Sequence, residues 1–217
     1  DINTPETTTS GNIHGCPVSF LLGIAGEVPE FEWVPHCLRP DRIVYIGLRD
    51  VDKDEKRILR EKGIKAFSMS HVDRYGIGQV VEMALDHVNP KRDRPIHLSF
   101  DIDALDPSVA PSTGGKWECL GNFYSLGEFL FVQKTSVIGV STNYLRLIFH
   151  PLSPGTPVRG GLTFREGHYI CEAMSETGLL VGVDIMEVNP ALKSKFSGQT
   201  VKIACSLVKC SLGETLL

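Results

Sequence analysis

The feature that most limits how this 217-residue chain can fold is an alternation: short apolar runs, several with acids at their carboxyl ends, separated by amphipathic stretches. Arg42-Ile43-Val44-Tyr45-Ile46-Gly47-Leu48-Arg49 is the first run, and Asp50 and Asp52 follow it. A run this apolar reads as a strand buried on both faces of a parallel sheet. A helix is expected from about residue 54 to 62, stopping at Gly63, where glycine accepts the left-handed turn that ends many helices. Residues 65–69 read as a second strand. Residues 76–88, with Ile77, Val80, Val81, Met83 and Ala84 at helical spacing, read as a helix closed by Asn89-Pro90. A third strand from Pro95 to Phe100 runs straight into Asp101-Ile102-Asp103. Thr163-Phe164-Arg165-Glu166 is a capping box opening a helix to about Thr177, and residues 179–186 form a fourth strand that ends in Glu187. Such alternation predicts a three-layer α/β/α fold with a mostly parallel sheet and right-handed crossovers.

Composition narrows the partners. Asp and Glu number 26 against 22 Lys and Arg, a formal net charge of −4, so no basic excess draws the chain to nucleic acid or to an anionic membrane. No run of about 18 apolar residues suits a membrane span. Cys16, Cys37, Cys119, Cys171, Cys205 and Cys210 are scattered without CxxC spacing, which predicts reduced thiols and a cytoplasmic protein. Residues 1–16 are rich in Thr, Ser, Gly and Asn, the composition of a loop whose hydroxyls and amides bond a ligand or their own backbone. Opening on Asp1-Ile2-Asn3-Thr4-Pro5, the chain is expected to start inside a domain.

The chemistry is expected where parallel strands end. Ligands gather at the carboxyl ends of such strands, and three of the four deliver acids there: Asp50 and Asp52, Asp101 and Asp103, then Glu187. If the third strand continues, Asp101 and Asp103 share one face about 7 Å apart, near enough for one or two cations. Crowded carboxylates repel unless a cation or a proton neutralises them. Their hard oxygens favour Mg or Mn, and such ions bring a bound water's pKa near neutrality, which points to metal-assisted hydrolysis or phosphoryl transfer. An isolated Asp-x-Asp at a strand end, by contrast, more often just caps a loop.

Five segments, in order, resemble the arginases of the ureohydrolase family: Asp1-Ile2-Asn3-Thr4-Pro5; Ser10-Gly11-Asn12-Ile13-His14-Gly15; Ser99 through Pro107, reading SFDIDALDP; Gly161-Leu162-Thr163 with Arg165-Glu166-Gly167; and Glu187-Val188-Asn189-Pro190. The resemblance covers residues 1–114 and 156 to about 192, and lies nearer the cytosolic type. It implies an incomplete ureohydrolase domain and hydrolysis of L-arginine to L-ornithine and urea at a pair of manganese ions. By position it makes Asp1, Asp101 and Asp103 metal ligands and His14 a proton shuttle. Asp1, His14 and Glu187 become the catalytic group. Asn3, Ser10 and Asn12 would hold the substrate's α-carboxylate, Asp50, Asp52 and Glu55 its α-amino end, and Glu187 the guanidinium, with Thr156 lining the same pocket. Arg165 and Glu166 match positions of the family's trimer contact, so a homotrimer is expected. These residue types suit such a substrate, because a free amino acid needs donors for its carboxylate, acceptors for its ammonium, and a carboxylate for its planar guanidinium.

The same resemblance places two histidines and one aspartate upstream of Asp1, so the acids here are expected to be too few to fill two coordination spheres. Two other readings follow: a non-catalytic fragment able to join full-length subunits, and an agmatinase, which would not need Asn3, Ser10 and Asn12. Residues 115–155, with Trp117, Phe123, Tyr124, Phe129, Phe131, Tyr144 and Phe149 at no sustained period, read as a non-family insert. Codons for Gly115-Lys116 can spell a splice donor, so a translated intron is the expectation. Residues 193–217 read as a divergent tail. On composition alone, Asp50 pairs with Arg49 or caps the next helix, and His97 is a hydrogen-bonded core histidine.

Overall fold

A computed structural model of the chain describes residues 1–113, 158–190 and 197–215. The expected insert at 115–155 and Thr156 fall outside the described residues. Four strands, β1 (Val44–Leu48), β2 (Lys65–Ser68), β3 (Ile96–Asp101) and β4 (Leu180–Met186), alternate with helices α1 (Pro17–Leu21), α2 (Lys53–Glu61), α3 (Met69–Val88), α4 (Phe164–Glu176) and α5 (Ser197–Ser211). Every strand pair is parallel, as the alternation requires. Among the described residues the strands form two pairs, β1 with β2 and β3 with β4, rather than one continuous sheet.

Both pairs share one core. Phe67, Val80 and Val81 from the first half meet Phe100, Ile102, Leu105, Leu162 and Leu207 from the second. The covering differs. Val44 and Ile46 of β1 pack toward that core, on the side of α3. Tyr45 and Ala66 pack with Ile58 and Leu59 of α2, and Ile2 joins that second cluster. Residues from β1 and β2 thus serve two apolar clusters. On β3 and β4, Ile96, Phe100 and Ile185 face the core shared with α4 and α5, while His97, Ser99 and Val181 are exposed. The expected burial of strands on both faces therefore fits the first pair and not the second.

Two local differences have physical reasons. The helix expected at 76–88 extends back to Met69, with a joint at Gly76, whose φ of 75° and ψ of 154° only glycine adopts cheaply. Ser68 and His71 close its start in a reciprocal cap. The third strand stops at Asp101 and turns into a 3₁₀ segment, Ile102–Ala104, so Asp101 and Asp103 do not sit on one strand face. Instead Asp101 caps the turn by accepting from the Asp103 amide. Within the stretch expected to be a divergent tail lies α5, which buries Ile203, Ala204 and Leu207 against the shared core. Its Thr200 hydroxyl accepts from the Ser112 amide at 2.9 Å.

Candidate active site

The polar loop before α1 is anchored by acids that follow β1. Ile2 donates its amide to Glu55 at 3.0 Å, and Asn3 donates its side-chain amide to Asp52 at 3.3 Å. Glu55 is buried, and it also accepts from the Asp52 amide as the return half of a helix-opening cap. Thr7 donates to the Asn3 side-chain carbonyl at 3.0 Å, so both ends of that amide are occupied. Asn3, Asp52 and Glu55 thus form one cradle. Asn12 is buried at the base of the same loop, while the Ser10 hydroxyl is exposed and accepts from the Asn12 amide. His14 is exposed on the short 3₁₀ segment Ile13–Gly15, and Asp1 lies against Gly15. Asp50 points to solvent.

A second group forms at the ends of β3 and β4. Burial, then the neighbouring charge of Asp103, with a smaller contribution from Glu187, pushes the Asp101 carboxyl up to about 7. The charges of Asp103 and Glu187 thus both act on the Asp101 carboxyl. Glu187 itself has φ of 60°, a left-handed backbone that is uncommon for any residue but glycine, asparagine or aspartate. The chain beyond it bridges back to Thr113, and Asn189 donates its amide to Ser112 at 3.2 Å.

Among the described residues no hydrogen bond joins the cradle to the acid group, and none joins Asp1 or His14 to Asp101, Asp103 or Glu187. Nor do any three His, Cys, Asp or Glu side chains stand as a metal ion would need. Thr156 lies outside the described residues. Arg49 does not pair with Asp50, the pairing that composition suggests; it reaches across to the carbonyls of Val158 at 3.0 Å, Asp103 at 2.5 Å and Ala104 at 3.3 Å. The role of Arg49 carries no local sequence signal, because its partners are carbonyls far along the chain.

Two more groups are not foreseen from the sequence. Asp106 accepts from the Ser108 amide and hydroxyl and from the Gly160 amide, and these bonds hold its carboxyl down at about 2. An Asp-Pro-Ser turn is the available signal. His97 is not a core residue: it sits half-exposed, 2.6 Å from Asp184, whose other oxygen accepts from Ser99 at 2.5 Å. The polar period of two in His97, Ser99 and Asp101 is the clue to an uncovered face.

Fold and acids together define a class: a parallel α/β protein that collects carboxylates where its strands end, beside a loop rich in hydroxyls and amides. Within that class the chain belongs to the arginase family, whose model matches residues 1–130 and 152–213. It is 58% identical to an arginase of Glaciozyma antarctica, over all of this chain and 52% of that protein. It is 51% identical to an arginase of Neurospora crassa, over all of this chain and 51% of that protein. The crystal structure of the cold-adapted arginase from Glaciozyma antarctica superposes with a TM-score of 0.69 at 53% identity, covering 99% of this chain and 58% of that one. The chain thus spans about half the length of the curated relatives it matches. No described helix is long and apolar enough to cross a membrane.

Proposed function

We propose that the chain serves the hydrolysis of L-arginine to L-ornithine and urea, in the cytoplasm and as a trimer built through Arg165 and Glu166. What supports this reading is the arginase-family match over residues 1–130 and 152–213, together with a loop that holds Asn3 beside Asp52 and Glu55. Ser10 and Asn12 extend the donor side, and Asp50 extends the acceptor side. Glu187 receives the guanidinium, Thr156 lines its path, and His14, exposed to water, moves the proton to the leaving amine. Asp1, Asp101 and Asp103 are the family's metal-facing acids.

Two manganese ions, the cofactor this family assignment implies, do not fit the donors brought together among the described residues. The second reading is a non-catalytic subunit that joins complete family members, which the whole-chain likeness to arginases does not favour. Urea release from arginine and from agmatine, with manganese added, tests the first reading. Arginine should be preferred by about a hundredfold, since agmatine leaves the carboxylate-binding amides unpaired; equal rates would overturn it. Manganese content after dialysis separates the second: about two ions per chain for the enzyme, about none for the inert subunit.

A further inference from the structure

We infer that the cleft between α2, β2 and the start of α3 binds a small organic anion, a carboxylate or phosphate carried on an apolar body. This site is separate from the acid group and from the cradle. The cleft has a volume of about 440 Å³, within the range of small-molecule pockets. Its ionisable lining is entirely basic: Arg49, Lys56, Arg60, Lys65 and His71, without one Asp or Glu. That bias is local, because acids outnumber Lys and Arg in the chain as a whole. Its floor is apolar, formed largely by Leu59 and Ile64, both nearly buried.

Helix α2 shows how the charges are sorted. Arg57 turns away and pairs with Asp54 at 3.1 Å and Glu61 at 3.5 Å. Lys56 and Arg60, one turn apart, line the cleft, and neither side chain forms an ion pair or hydrogen bond among the described residues. Like charges at this spacing repel, so the arrangement does nothing for the helix itself. An anion between them would relieve that repulsion, with its apolar part on Leu59 and Ile64. Arg49 lines the cleft and also binds the carbonyl of Asp103, so an occupant would sit one side chain from the acid group.

Titration calorimetry of the full chain at low salt, with phenyl phosphate and with benzoate as probes, tests this. At least one probe should bind with a Kd of about 1 mM or tighter, and the tighter of the two identifies the headgroup. Inorganic phosphate, without the apolar ring, should bind about tenfold more weakly. The double variant Lys56→Ala/Arg60→Ala should lose about tenfold in affinity, and Arg57→Ala should stay within about twofold of the parent. Raising salt from about 20 to about 200 mM should weaken binding by the parent chain several-fold, a readout that needs no variant to fold. The inference fails if neither probe binds at about 10 mM, if the double variant binds like the parent, if Arg57→Ala loses as much as the double variant, or if salt has no effect.

Discussion

Strands β1 and β2 contribute to two apolar clusters, whereas β3 and β4 pack on one side and leave polar residues exposed on the other. The enclosed pair is apolar on both faces, through Val44 and Ile46 on one and Tyr45 on the other. The open pair carries a hydrogen-bonded row, His97 to Asp184 to Ser99, that water can reach. Asp101 continues that row by the strand's period of two, so the open face leads to the acids. Cover and chemistry are thus divided between the two pairs, and Arg49 ties the end of one to the turn after the other.

If cover matters for the enclosed pair, its second apolar layer must contribute strongly to stability. Ile58→Ala, at a position 5% exposed, should lower unfolding stability by about 2–5 kcal/mol in urea titration. A loss below about 1 kcal/mol would mean that α2 adds little. Next in size is a gain. Asp101 binds a proton more tightly when folded, at about 7 against 3.8, so the cost of its burial is absent at low pH and grows as pH rises from 3.8 through 7. Asp101→Asn should therefore stabilise the metal-free chain at pH 8 by on the order of 2 kcal/mol and flatten that part of the stability profile. An unchanged slope would show that Asp101 is not crowded.

Arg49→Met should cost about 1.5–3 kcal/mol, since it strips charge-assisted bonds from several carbonyls. Hydrogen exchange should then show β1 and β3 opening at different free energies; joint opening would assign the coupling to the shared core instead. A smaller effect belongs to the open face. The hydrogen bond to Asp184 raises the His97 pKa despite its partial burial, and that contribution fades as pH rises above 6.5 through the raised folded value. Burial acts to raise Asp184, but bonds from His97 and Ser99 outweigh it, and this contribution fades as pH falls below 3.8. The pair thus stabilises most between those two values. Half in water, it is worth about 0.5–1 kcal/mol, which His97→Gln should remove between pH 4 and 6.5 and not at pH 9. Smallest of all, Val181→Thr, at 60% exposure, should change stability by less than about 0.5 kcal/mol. A larger loss would reveal hidden cover on that face.

Element types and parallel pairing are legible in the sequence because apolar period and capping residues act locally. Thr163 and Glu166 bond each other as their spacing predicts, and Gly63 ends α2. What is not legible depends on distant partners. Nothing near Arg49 announces Val158, and nothing in the strand pattern says that the four strands pair as two twos. At the candidate site, the bond from Asn3 to Asp52 falls between residues that the resemblance assigns to one substrate. The turn at Ile102, which takes Asp103 off the strand face that Asp101 occupies, needs the three-dimensional fold, since an alternating pattern continues equally well on paper.

Glu187 offers a last consequence. At φ of 60° a side chain with a Cβ is strained, and glycine or asparagine would occupy the same backbone at lower cost. In a randomised library sorted only for folded protein, codon 187 should drift toward those two residues. The same library sorted for turnover would keep the carboxylate if this position does chemistry, so the disagreement between the two pools would measure how far catalysis and conformation pull against each other at one residue.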